Sequence, residues 1–502
     1  MNRPSTLARV LRVVLAIITS VALVAAFALL SVTTMPQWFV DRASGEATAS
    51  HRVVQQLLES YCPARMALPD SGDWGDSEYR ASEGDIATSA SFAAFGSVYA
   101  STVAPFDMSA GGEALSLKAP DNPRNADAMV GRDESGSSRL FNANLLEASD
   151  GSGHAGVIAS HASSGDLRGI SAATCTVPAM TQSFLLSGTA TGSSQRMTLA
   201  NPSSKATTVT ITVVGTSSAG SMSLSTSGTA TVAAGGETTV DLSAAAPDQQ
   251  GLYVTITSDV MPVAAYVSSV SADGLTPKGS DFTMPVGAAS TLNAIPSVSE
   301  GDKISLYAYS RTAGDVTLSW ITEDGLSSIG RKRVKADQVA VFDLGQAPKG
   351  AHGILATGSD DFVAAARAVR SGASGQEDFA SLAAVTPASS SGAALPSGLD
   401  ATVTLVNTTN EEVTVSLTAM DDTGKAGSAD EVTIKANSAV SVKGEGTAVL
   451  VEDRGKAVAW GVRLGGGGLD PAKVAGLSAT EPTALTVREE TIRSSQDNTI
   501  VR

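Results

Sequence analysis

Apolar and polar residues alternate with period two at three separated places: Val209-Thr210-Ile211-Thr212-Val213, Val316-Thr317-Leu318-Ser319-Trp320 and Val413-Thr414-Val415-Ser416-Leu417. That period puts the bulky residues on one face and the Thr and Ser residues on the other, as in a strand with one face buried and one wet. The starts lie 107 and then 97 residues apart, which makes the pattern an internal repeat. An apolar pair precedes each copy (Met197/Leu199, Ile304/Leu306, Val403/Leu405), separated from it by a polar turn, and is read as a partner strand. Small-residue runs at 262–270, 362–369 and 456–464 follow, suited to a sheet packed closely on its neighbour. So many short strands with frequent turn signals predict three immunoglobulin-like β-sandwich modules of one topology, over 195–298, 302–396 and 400–470. Their Cys…Trp…Cys core is missing, and jelly-roll-like sandwiches stay open. Ahead of them, 62–190 reads as a β-domain with long loops, and 471–502 as a partly disordered C-terminal segment.

The N-terminus follows another pattern. Val13 to Val32 carries no charge over twenty residues, enough to cross about 30 Å of hydrocarbon as a helix. Arg3, Arg9 and Arg12 precede it, and no basic residue follows until Arg42. The positive-inside rule then predicts a cytoplasmic tail over 1–12, a transmembrane helix over 13–35, and an extracytoplasmic remainder. Trp38 and Phe39 stand where an outer interfacial anchor belongs. A cleaved signal peptide is the alternative, with Ala47-Thr48-Ala49 as its best cleavage string. The stem, 36–61, contains Val53, Val54, Leu57, Leu58 and Tyr61 at helical spacing, which predicts a short amphipathic helix or a plain spacer.

Charge narrows the partners. Beyond the three leading arginines the chain carries 31 basic against 50 acidic residues, which excludes nucleic acid and disfavours anionic lipid headgroups. Two cysteines, Cys62 and Cys175, both fall on the expected exported side. They can pair in one way only, as a disulfide in an oxidising compartment, or remain two buried thiols.

Around Cys175 stands a distinctive string: Gly165-Asp166-Leu167-Arg168-Gly169-Ile170, then Ala172-Ala173, Pro178 and Gly188, followed by Leu199-Ala200-Asn201-Pro202. With the N-terminal run and Cys62-Pro63, it resembles an actinobacterial family of secreted, single-pass envelope proteins whose domain has no assigned function. Phe184 and Leu186 stand where that family's pattern has a Trp. The resemblance implies export and a cell-envelope setting, and supplies no catalytic residues.

Chemistry-bearing motifs are sparse. Gly151-Ser152-Gly153-His154-Ala155-Gly156 fits GxGxxG but sits in a Ser/Gly/Asp-rich loop outside any βαβ unit. His154 and His161, with Asp150 and Asp166, are a weak metal candidate. His51 and His352 read as isolated surface residues. Asp360-Asp361 and Asp421-Asp422 lack calcium-loop spacing. There is no GxSxG elbow. Trp320 and Trp460 share the parity of core residues, Trp74 is the better exposed ring, and Asn407-Thr408-Thr409 is a formal glycosylation sequon. No catalytic, cofactor or metal residue is therefore assigned, and no cofactor is expected. The expected function is a non-enzymatic, membrane-anchored envelope scaffold or binding protein, with an envelope protein or polysaccharide as partner. The alternative is a glycan hydrolase with its site in 62–190.

Overall fold

The computed structural model describes residues 6–32, 49–69, 81–107 and 112–494. They belong to two units, Met1–Val54 with Glu489–Arg502, and Gln55–Arg488. Trp38, Phe39 and Trp74, most of the cleavage string and residues 495–502 lie outside the described residues.

In the first unit the uncharged run forms a helix, Thr6–Val32. Its described side chains, Val10, Leu11 and 13–25, are all exposed. The hydroxyls of Thr19 and Ser20 are turned back onto the carbonyls of Leu15 and Ala16. The membrane-crossing reading is not supported here: among the described residues no helix is long and apolar enough to cross a membrane. In the same unit Ala49–Val54 pairs antiparallel with Glu489–Ser494.

The stem helix expected over 53–61 is not formed. Val53 and Val54 end that first strand, and Leu57–Cys62 is a strand of the second unit. From Leu58 to Cys62 side chains of both parities are buried or half-buried, because the strand is covered on two sides, and two-sided burial hides the period of a strand.

The second unit is built from four groups of eight strands, and all four share one connectivity. Counting strands along each group, one sheet has the order first-sixth-third-fourth and the other fifth-second-seventh-eighth, every pair antiparallel. In the third group the sixth and seventh strands are one bent strand, Ala351–Ser371, that serves both sheets. The groups open at Leu57–Cys62, Thr181–Ser187, Ser290–Pro296 and Ser390–Ala394. They close at Gly169–Thr174, Thr276–Thr283, Glu377–Ala383 and Ser478–Thr480. So 57–174 is a sandwich like the other three, and each later group starts one strand before the expected module. The last ends at Thr480, beyond the expected 470.

Immunoglobulin connectivity is corrected by this order. There the second strand pairs with the fifth and the third with the sixth. Both pairs recur here, but the first strand lies beside the sixth instead of the second, and the seventh beside the second instead of the sixth. Third, fourth and fifth strands in succession, with the sixth returning beside the third, make a Greek key. The expected partner strands are second strands, so they face the alternating strands across the sandwich instead of pairing with them.

All three alternating segments are third strands. Val209, Ile211, Val213, Val316, Leu318, Trp320, Val415 and Leu417 are buried, while Thr210, Thr212, Thr317 and Thr414 are exposed. The small-residue runs are seventh strands, buried on both faces.

Sandwiches pack sheet to sheet in a closed circuit. Tyr61 of the first meets Ala264 and Tyr266 of the second. Leu185 and Val214 of the second meet Tyr307, Tyr309 and Val363 of the third. Ile321 and Leu355 of the third meet Val406 and Ala459 of the fourth. Met420 and Ala448 of the fourth meet Phe95, Val130 and Ala155 of the first. In every case the first-sixth-third-fourth sheet of one sandwich covers the other sheet of the next. The segment after Thr480 fastens the ring: Thr483 and Ala484 pair with the fourth sandwich's first strand, and Leu485 accepts from Gly151 of the first sandwich.

Candidate functional site

The four eighth strands meet at the hub of this ring, and the hub explains the GDLRGI string. Leu167 is buried in the first core, and Asp166 takes the Ser82 N–H. Gly169 has φ 131°, and a Cβ there would lie 2.4 Å from the Asp378 carboxyl. Gly279, at φ 95°, would meet the Asp378 Cα at 2.7 Å. Only glycine leaves room for Asp378 between them.

Asp378 and Asp281, on eighth strands of the third and second sandwiches, are both 0% exposed. Asp378 Oδ2 accepts from Ile170 N (2.8 Å) and Leu477 N (2.7 Å), in the first and fourth sandwiches. Asp281 accepts from Ala172 N (3.2 Å), Ser381 N (2.8 Å) and the Ser478 hydroxyl (2.8 Å), of the other three sandwiches. Burial pushes both carboxyls well above the ordinary aspartate range, against the pull of these N–H donors, and the charge of Asp281 raises Asp378 further. Two carboxyls thus hold four sandwiches together.

Openings lie beside it. Where the eighth strands end, a depression of 410 Å³ is bounded by Thr176, Gln182, Thr386, Glu481 and Thr483. Next to it, along the seam of the second and third sandwiches, a cleft of 690 Å³ is bounded by Gln182, Ser183, Tyr253, Tyr309, Arg311 and Asp361. Gln182 borders both. Its side-chain amide donates to Val263 O, and Oε1 has no partner. Burial raises the Glu481 carboxyl, opposed by the Ala383 N–H. Tyr253 stacks on Tyr309 with centroids 3.9 Å apart. Nothing in the sequence pointed here, because the groove is assembled from linkers and strand ends about 300 residues apart.

The residues singled out by sequence are placed as follows. Cys62 and Cys175 form a disulfide, Cα atoms 4.1 Å apart. It joins the first and eighth strands of one sandwich, where Tyr61 and Thr176 also exchange backbone hydrogen bonds. His154 is buried, its Nε2 2.7 Å from the Ser60 hydroxyl and its ring 4.5 Å from Phe141. Burial pushes its pKa down to about 3, its Nδ1 has no partner, and no carboxylate orients it. The pair lacks the orienting third group of a nucleophilic triad. The Gly151–Gly156 string is a turn entering the strand Gly153–Ala162. Among the described residues no group of three His, Cys, Asp or Glu side chains could hold a metal ion. His352 is not isolated: it lies between Glu323 (3.1 Å) and the Ser441 hydroxyl (2.9 Å).

Trp460 is buried with its indole N–H on Ser391, and Trp320 lies in the third core. Asp421 accepts from Thr423 and Lys425 within its own turn. The Asn407 sequon is a clamp: the side-chain amide donates to Glu411, Ile434 and Lys435 carbonyls in the interior. Asn201 does the same with Lys205, Val232 and Ala233.

A family model described as a family of unknown function (DUF5719) matches residues 130–445. The match runs from the fifth strand of the first sandwich to the fifth of the fourth. No curated protein matches the chain.

Proposed function

The chain belongs to that family of unknown function, and from this premise we propose a non-enzymatic envelope protein that binds through its sandwich ring and is held at the membrane by its N-terminal helix. One observation carries the binding reading: a closed ring whose seam opens into adjoining cavities of 690 and 410 Å³ with mixed polar and apolar walls, the size range of ligand sites. The disulfide supports an oxidising, extracytoplasmic setting. The uncharged run from Val13 to Val32 and the basic residues before it support the anchor. Hydroxyls folded back onto the helix suit a lipid environment. The partner is an envelope protein or polysaccharide.

A hydrolase site in 62–190 has less support. Two cavities against the first sandwich, of 300 and 190 Å³, contain one carboxylate, Asp127. Its hydrogen bonds to Arg124 and the Ala426 N–H hold it ionised, down at about 2. Glycoside cleavage needs a pair of carboxyl groups with separated pKa values.

A membrane-impermeant crosslinker applied to intact cells, followed by purification of the chain, tests the proposal. Discrete adducts with one envelope protein or glycan are expected. A chain that stays unlinked and protected from external protease would contradict it, and release of reducing sugar from envelope glycan would favour the hydrolase.

A further inference from the structure

The seam between the second and third sandwiches differs from its neighbours at one loop. Asn201 and Asn407 tie down the turn between second and third strands with three amide hydrogen bonds each. The third sandwich has Ser310 there, whose hydroxyl donates to Asp361 O (2.9 Å) and accepts from Thr312 N (3.2 Å) within the turn. That turn and the bend at Asp360 and Asp361 form one wall of the 690 Å³ cleft, and Gln182 stands on the opposite wall.

Gln182 is 7% exposed, and its Oε1 has no hydrogen-bond partner. A buried acceptor left unpaired is rare and asks for a donor. Threonine and serine hydroxyls continue along both cavities, from Thr312 and Ser183 to Thr176, Thr386 and Thr483. The lining of the cleft is weakly acidic, with Arg311 against Asp360 and Asp361, and burial raises the Glu481 carboxyl in the depression. An acidic ligand is therefore disfavoured, and the hydroxyls suit an elongated one rich in groups that both donate and accept. A peptide adding as a strand would need the open edge of the first strand. At Ser183 that edge is already taken by the Val286 N–H, at 2.8 Å. We propose that this groove, from the hub depression out along the second–third seam, binds a neutral saccharide chain. The assignment deepens the binding reading above and rests on it.

The test uses the full chain in a detergent without a sugar headgroup. Calorimetric titration compares neutral hexasaccharides of glucose, mannose and galactose with a hexauronate and a Ser/Thr/Gly hexapeptide. At least one neutral hexasaccharide is expected to bind below millimolar. Gln182→Met should weaken it tenfold or more. Because that change also removes the bond to Val263, a rim variant, Arg311→Ala with Asp361→Ala, serves as a second probe and should weaken binding at least threefold with an unchanged melting temperature. Failure of every neutral hexasaccharide, affinity unchanged in both variants, or preference for the hexauronate or the peptide would each overturn the assignment. If crosslinking still finds an envelope partner, the binding reading survives and the saccharide site alone falls.

Discussion

Asp378 reaches the hub because Gly169 and Gly279 have no side chains, and its protonation follows from where it sits. A carboxyl whose folded pKa is raised binds its proton more tightly in the native state than in the unfolded chain. The stability it contributes is therefore present below the unfolded value of about 4 and lost as pH rises through the folded one. His154 acts oppositely. With a folded value of about 3 against 6.5, its contribution is present above 6.5 and lost as pH falls toward 3. Asp378→Asn, which keeps an acceptor for Ile170 and Leu477, should reduce the decline on the alkaline side, leaving the part that Asp281 contributes, while the acid-side decline remains. Asp378→Ala leaves both N–H groups unpaired and should cost about 2–6 kcal/mol, at about 1–3 for each. Denaturant titrations from pH 4 to 9 read both effects. An alkaline slope unchanged in the Asn variant would show that another group titrates.

At the scale of elements, the third strands show what a period of two settles. Ile211 lies in a core and Thr212 faces out. Ile211→Ala should cost about 2–5 kcal/mol, and Thr212→Ala stay within about 0.5 kcal/mol. Equal costs in urea denaturation would contradict the register. These strands were legible because one of their faces is wet. First and eighth strands were not: Phe184-Leu185-Leu186 is buried throughout, and Gly169–Thr174 is small and almost wholly buried, so neither alternates. The first sandwich reads in sequence as a β-domain with long loops and not as a further repeat; its fourth strand has only two residues, Leu115–Ser116. A spacing of Val53, Val54, Leu57, Leu58 and Tyr61 that fits a helix equally fits two strands broken at Gln55-Gln56, and packing chose the strands. In the candidate groove, Gln182 stands between Thr181 and Ser183 in an unremarked polar triplet, and its significance depends on Pro285, Asp361 and Glu481 arriving from elsewhere.

Closure of the ring is the property of the whole molecule that no local pattern carries, since it joins residues about 300 apart. It also makes the sandwiches interdependent. Asp302, 0% exposed at its side chain, accepts two bonds from Arg463 of the fourth sandwich, both 2.9 Å, and one from Arg370 of the third, 2.7 Å. Arg463→Ala strips the buried carboxylate of its bidentate partner and should cost about 3–5 kcal/mol. In a closed ring that loss lowers the single unfolding transition of all four sandwiches, seen as a common shift in calorimetry. Independent melting of one sandwich would mean that they behave as separate beads. The most direct test of closure uses Ser89 of the first sandwich and Ser397 of the fourth, whose hydroxyls lie 2.9 Å apart across 308 residues of sequence. A Ser89→Cys/Ser397→Cys variant, with the native Cys62–Cys175 pair left intact, should form a second disulfide under mild oxidation and migrate faster on a non-reducing gel. Two thiols that stay free in the folded protein would contradict the ring.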